Sequence, residues 1–329
     1  MLEYSDLISK SRIYKNVLSD VLGGALGHCY LVVSTDNVAV TEFFTLLSCS
    51  VFCHNNACLN CIECDRVISG NNVDIVHVEP AQGKNYLVSD IEPVLQDVYK
   101  KAYLGGKKLY FFHNADKMRV DVQNKLLKIL EEPPADVHFF LETTTEGAIL
   151  DTVKSRSRRI YMDYFESRDV ADALKHKFLD VDLRRIELSA NCCGGSLERA
   201  EKLLSDEKFY ERYNSVFEIF TTVKKSSDVI RYAKSTLFDK ENILFSLDMM
   251  ELILRDILSA SIGNLSFTMR DKKTEFEKLA LEYSVGAISN VVENINVARK
   301  KIKANCSSNT VGENLLYSIL EVKFRCQKL

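Results

Sequence analysis

Five cysteines fall between positions 49 and 64: Cys49, Cys53, Cys58, Cys61 and Cys64. Cys58, Cys61 and Cys64 are separated by two residues each, so one tight turn can aim several thiolates at a point, and eight residues separate Cys49 from Cys58. Four thiolates meet the tetrahedral preference of Zn²⁺. Five cysteines compete for the four places, and His54 is a sixth possible donor. A completed Cys₄ site keeps no open position for water, so the chemistry expected is structural and not catalytic. Cys29, Cys192, Cys193, Cys306 and Cys326 read as plain buried thiols. A second charged cluster, Lys154, Arg156, Arg158 and Arg159, reads on its own as a solvated basic stretch leading into a strand.

The elements that must position these groups follow from hydrophobic pattern. Tyr30 to Val33, Val73 to Val78, Leu109 to Phe112 and Val137 to Leu141 are short apolar runs with the character of buried strands. Between the second and third, Ile91, Val94, Leu95, Val98, Tyr99 and Ala102 keep helical spacing, and a further helix over about 121–130 is expected to be capped by Asp121 and stopped before Pro133. Strands alternating with helices imply a parallel, doubly wound sheet over residues 1–163, with the cysteine module at about 49–64 inserted in it. After Tyr161 the strand pattern ends. Residues 164–208 give short helices broken at Gly194, Gly195 and Ser196, and residues 209–329 give long ones such as Ile243 to Ser259 and Leu315 to Phe324.

Composition narrows the class. The chain has 329 residues, 46% hydrophobic and 27% charged, which is a globular balance and excludes low-complexity disorder. Its net charge of −3 argues against coating nucleic acid by bulk positive charge. Glu3, Asp6, Lys10 and Arg12 interrupt the start where a signal peptide needs an apolar core, and no run of 18 apolar residues follows; a soluble cytoplasmic protein with no membrane partner is expected. In that reducing compartment the ten cysteines are not a disulfide framework. The last stretch, Asn296 to Leu329, carries a net +5, but the neighbouring stripe of Leu315, Leu316, Ile319 and Leu320 favours oligomer packing over DNA contact.

An ordered set of motifs over about residues 22–160 resembles the bacterial clamp-loader subunits of the AAA+ class. The set comprises Cys49-x₈-Cys58-x₂-Cys61-x₂-Cys64, His28-Cys29-Tyr30-Leu31, Gly105-Gly106-Lys107-Lys108, Ala115-Asp116-Lys117-Met118, the run from Gln123 through Leu130-Glu131-Glu132-Pro133-Pro134, Thr143-Thr144-Thr145, and Ser155-Arg156-Ser157. The resemblance implies an α/β domain of the RecA-like AAA+ kind, a helical lid over 164–208 and a helical collar over 209–329. It also selects Cys49, Cys58, Cys61 and Cys64 as the zinc ligands and leaves Cys53 out.

In that family a phosphate-binding loop follows the first strand. Here Ser34 and Ala39 stand where glycines belong and Val40 where the lysine belongs, while Thr41 alone is retained. His113 and Asn114 replace the acidic pair of the next strand, and Glu198 stands where a sensor arginine is expected. Without a phosphate loop, Thr143 to Thr145 are left to loop hydrogen bonding and His113 to a structural role. Three losses at three sites imply that the chain binds no ATP and is the non-hydrolysing kind of subunit. Arg156 matches the arginine of the family's Ser-Arg-Cys, which reaches into a neighbour's nucleotide site; the resemblance therefore reverses the bland reading for Arg156 alone. The implied partners are γ/τ-like ATPase subunits and a clamp-opening δ-like subunit, with the sliding clamp and primed DNA met through the complex. Two other readings are a working clamp-loader ATPase with an unusual loop, and a zinc-ribbon nucleic-acid binder. The second is weakened by the module itself, where Cys49 to Cys64 contains no Lys or Arg and only Glu63 as a charge.

Overall fold

Strands β1 (Cys29–Val33), β2 (Ile75–Val78), β3 (Lys108–Phe112), β4 (Val137–Thr143) and β5 (Arg158–Tyr161) form one sheet in the order β2-β3-β4-β1-β5, with every neighbouring pair parallel. The computed structural model describes residues 2–80, 85–104, 106–264, 267–269 and 272–326, the side chains of Arg325 and Cys326 excepted. Gly105 of the Gly-Gly-Lys-Lys stretch and the Cys326 thiol thus lie outside the described residues.

Helices α1 (Ser5–Lys10), α2 (Arg12–Leu22), α3 (Asn37–Phe52), α4 (Ile62–Ile68), α5 (Val88–Asp97), α6 (Val120–Glu131), α7 (Asp151–Lys154) and α8 (Ser167–Lys177) accompany the sheet. Leu31, Tyr110, Phe112, Phe139 and Leu141 point to one face and bury residues of α5 and α6. The opposite face carries Tyr30, Phe111 and Phe140; the Tyr30 and Phe140 rings stack at 5.0 Å, and Phe44 of α3 meets Phe111 at 4.4 Å. Covering both faces is what makes these strands read as unbroken apolar runs. The parallel α/β class expected for this region is the one observed.

Three local departures have physical causes. Strand β5 lies at a sheet edge with Arg158, Arg159 and Tyr161 exposed, so no apolar run announces it, and its charges protect the edge. Helix α5 stops at Asp97, leaving Tyr99 and Ala102 outside it: Lys108 Nζ bonds the Asp97 backbone oxygen at 2.9 Å, and the buried Asp74 carboxylate draws in the amides of Tyr103 and Leu104 at 2.8 Å each. Asp121 does not cap α6. It sits in the first turn bonded to Arg119, the residue at the cap position, at 2.7 Å.

The chain divides into two compact units, residues up to 177 with 195–199, and residues 178–194 with 200–329. The second holds α9 (Leu183–Cys192), most of α10 (Leu197–Ser205), α11 (Phe209–Thr222), α12 (Ser226–Ala233), α13 (Ile243–Ser261), α14 (Lys273–Glu282), α15 (Val285–Lys303) and α16 (Ser308–Cys326). Its core corrects the oligomer reading of the leucine stripe: Leu315, Leu316, Ile319 and Leu320 of α16 are buried inside this unit among residues of α11, α13 and α15. Arg299 pairs with Asp248 and Glu251, and the buried Lys323 with Glu282, so part of the terminal positive charge is internal too. Cys29, Cys192 and Cys193 are buried as expected, whereas Cys306 is exposed. Among the described residues no helix is long and apolar enough to cross a membrane.

Candidate metal centre, phosphate loop and arginine loop

Helix α3 ends at Phe52, and Cys53 is the first residue past it, with extended backbone that turns the chain toward α4. The intervening knuckle holds three non-glycine residues in the left-handed region, Asn56, Ala57 and Leu59, at φ of 50°, 56° and 58°. Each such residue stores about 1 kcal/mol or more, and a turn this tight is what focuses the thiols. The sulfurs of Cys53, Cys58, Cys61 and Cys64 all lie within 4.8 Å of one another, with Cys53 at 3.6 Å from both Cys58 and Cys61. Sulfurs on a tetrahedral zinc at about 2.3 Å stand about 3.8 Å apart, so the donor set fits that ion. Backbone amides support it: Asn55 N–H donates to the Cys53 sulfur and Cys64 N–H to that of Cys61. Against a burial cost, donors from Cys58, Asn55 and Cys61 hold the Cys53 thiol well below the ordinary thiol range.

The fourth thiol gathered with Cys58, Cys61 and Cys64 is thus that of Cys53, whereas the resemblance selects Cys49. Cys49 is an interior residue of α3, fully buried in a small core with Cys64 and Val67, and burial pushes its thiol up to about 11. The helix end was the available signal, since a residue just past a helix can turn its side chain toward the following loop and one inside the helix is held to the helix face.

The loop after β1 is closed by carboxylates. Asp36 caps α3 by accepting from Ala39 N–H at 3.0 Å, and it also accepts from the amides of Leu197 at 2.6 Å and Glu198 at 3.2 Å. Glu198 Oε2 in turn accepts from Asn37 N–H at 3.0 Å. The positive end of a helix is the place where a P-loop holds phosphate. Here two carboxylates occupy it. Val40 is fully buried, so its side chain belongs to the core, and the Thr41 hydroxyl is spent on the Asn37 carbonyl of its own helix. Gly195, at φ +85°, precedes α10 where a Cβ would lie 2.6 Å from the Phe165 oxygen, so this approach of chain to chain requires glycine.

At the end of β3, His113 Nδ1 is 2.6 Å from Glu142 Oε2 and its Nε2 is 3.0 Å from His77 Nδ1. Glu142, from β4, is almost fully buried and committed to that pair. Thr143 donates to the Thr145 carbonyl, and Asp116 accepts from Thr144 N–H, so the threonines serve their own loop.

The arginine loop precedes β5, at the opposite end of the strands from the loop after β1. Gln123 of α6, 2% exposed, donates to the carbonyls of Met118 and Ala148 at 2.9 Å and accepts from Leu150 N–H at 2.8 Å. It thereby pins the segment leading into α7, which ends just before Arg156. The sequence placed Gln123 in a motif without revealing this role. Arg156 donates to the Thr152 carbonyl at 2.9 Å and to Ser155 Oγ at 3.2 Å, and pairs with Glu131 at 2.7 Å. Ser157, in place of the family's cysteine, sets its hydroxyl 3.1 Å from the buried Cys29 sulfur. The other cations of the run are also paired: Lys154 with Asp151, Arg158 with Asp20, and Arg159 with Glu146.

The family described as DNA polymerase III, delta subunit, matches residues 9–166. The chain is similar to the DNA polymerase III subunit delta′ of Bacillus subtilis, 27% identical over 326 residues, an alignment spanning 94% of this chain and 96% of that protein. It is 29% identical over 154 residues to the delta′ subunit of Escherichia coli K12, covering 45% and 46%. With the tau subunit of the same organism it shares 25% identity over 208 residues, covering 61% and 32%.

Proposed function

We propose that this chain, which belongs with the δ′ and γ/τ subunits of DNA polymerase III in the clamp-loader family, works as a δ′-like subunit that hydrolyses no ATP and lends an arginine to a neighbour that does. One observation carries the reading: the amides of the phosphate loop are already taken by Asp36 and Glu198. A triphosphate arriving there would meet two like charges and no lysine.

Arg156 supplies the other half. Because β1 and β5 are adjacent and parallel, with Tyr30 opposite Arg158 and Val33 opposite Tyr161, the phosphate loop leaves the far end of β1 while Arg156 precedes the near end of β5. Five residues of strand separate the two, about 16 Å. Arg156 is thus out of reach of its own subunit's loop and suited to act across an interface. There its planar fork would hold two oxygens of a transferring phosphoryl group and stabilise the charge that develops on them. The cysteine knuckle would hold a structural zinc, with Cys53, Cys58, Cys61 and Cys64 as ligands; the metal supplies rigidity to the loop between α3 and α4. A lid over 164–208 and a collar over 209–329 complete the subunit, which joins γ/τ-like ATPase subunits and a δ-like clamp-opening subunit in the cytoplasm to load the sliding clamp on primed DNA.

The test is reconstitution with those subunits, comparing clamp- and DNA-stimulated ATPase for wild type and Arg156→Ala. Hydrolysis at the site facing Arg156 is expected to fall by on the order of 10³. An unchanged rate sinks the finger assignment. Micromolar ATP binding by the isolated chain, with hydrolysis lost in Thr41→Ala, would instead establish a working ATPase.

A further inference from the structure

We infer that Glu131 is a latch that holds Arg156 against its own subunit until a neighbour's phosphate takes the guanidinium over; the inference rests on the arginine-finger reading above. In the latched geometry both terminal nitrogens of Arg156 are engaged, one by Glu131 Oε1 at 2.7 Å and the other by the Thr152 carbonyl and Ser155 Oγ. An arginine so held has no free edge with which to grip two phosphate oxygens.

Among the described residues Arg156 is the ion-pair partner of Glu131. It is the last residue of α6, where the negative end of the helix disfavours a carboxylate. Its neighbour Glu132 is exposed and forms none of the described ion pairs. What Glu131 gains is Arg156.

The strength of the pair suits a latch. The side chains are 34% and 50% exposed, and ion pairs in such settings shift an equilibrium by only about two- to fivefold. A γ-phosphate carries more charge than a carboxylate and can accept both nitrogens at once, so it outcompetes Glu131 when the ATPase site is brought up. In the absence of clamp and DNA, the same weak pair is enough to keep the finger mostly withdrawn.

The experiment uses the reconstituted complex and reads two rates, basal ATPase and clamp- and DNA-stimulated ATPase. Glu131→Gln is expected to raise the basal rate about two- to fivefold and to leave the stimulated rate within about twofold, so the stimulation ratio shrinks. Raising salt from about 50 to about 300 mM should narrow the basal gap between wild type and variant, because the latch is screened. Glu131→Lys, at the same exposed position, should act in the same direction and more strongly, and Glu132→Gln should leave both rates unchanged. A double variant, Glu131→Gln with Arg156→Ala, should match Arg156→Ala alone. A basal rate that stays at the wild-type value, or a stimulated rate that falls in Glu131→Gln, overturns the latch. If Arg156→Ala is slow while Glu131→Gln has the wild-type basal rate, only the latch fails; if Arg156→Ala itself is unchanged, the finger reading fails first.

Discussion

The phosphate loop and the arginine loop sit at opposite ends of two adjacent strands, β1 and β5, and each joins a charged group to a partner of the same chain. In the phosphate loop the partners are backbone amides and the charges are the carboxylates of Asp36, which is buried, and of Glu198, which is half-buried and bonds the exposed Asn37. In the arginine loop the charge is a guanidinium and its carboxylate partner is half-exposed. Burial fixes the Asp36 part of the first arrangement, because releasing it leaves buried amides without acceptors. Exposure makes the second exchangeable. On the function proposed above, one end would be closed to phosphate and the other ready for it.

The largest effect that can break this contrast is at Arg156. Arg156→Lys should behave nearly like Arg156→Ala in the assembled complex, since an ammonium cannot reproduce the bidentate fork; full activity in the lysine variant would reduce Arg156 to a generic charge. Next comes the metal that the thiol cluster would hold, as a brace for the same α/β unit. About one zinc per chain is expected, lost in Cys58→Ser or Cys61→Ser. Loss in Cys53→Ser with retention in Cys49→Ser supports the ligand set gathered by the knuckle, and the reverse pattern restores the set with Cys49. Asp36→Ala should destabilise the first unit by about 2 kcal/mol in urea unfolding, as it removes a helix cap and two further amide partners. A neutral result would mean that the carboxylate is not what seals the loop.

The smallest effect is on pH dependence near β5. The Tyr161 hydroxyl and then Arg159 hold the Glu146 carboxyl below its ordinary 4.5. A group with a depressed folded pKa contributes stability above its unfolded value and loses it as pH falls through the folded value. Glu146→Gln should therefore lower stability slightly at neutral pH and flatten the acid side of the stability curve, with variant and wild type converging as the pH falls through the lowered Glu146 value. Because the group is exposed, the change is expected to be small. An identical acid profile for wild type and variant would remove Glu146 as a brace of the arginine strand.

How much of this was legible in the residues depends on distance along the chain. The buried strands were readable, since a strand covered on both faces shows as an apolar run, and the cysteine cluster was readable from type and spacing, whereas Arg156 and Val40 stood out only through the resemblance to clamp-loader subunits. Edge strand β5 was not, because a solvent-facing strand has no such run. Helix α5 was read too long because its stop is imposed by Lys108 and Asp74, which are remote in sequence. The leucine stripe of α16 was read as an oligomer surface because periodicity reports that a face is buried and not what buries it.

The amino-acid sequence by itself determined the chemistry that is missing and the chemistry that is present: a valine cannot neutralise phosphate, and four clustered thiols suit one zinc. Tertiary structure decided which groups meet. It brought Cys53 to the thiol cluster because the helix ends one residue before it, and it brought Glu198 to the head of α3 from far along the chain. It also set Glu131 against Arg156. Residue type limits what a side chain can do, but only the folded backbone sets its distance from a partner, and at a few ångströms that distance decides whether a charge is sealed or ready for exchange.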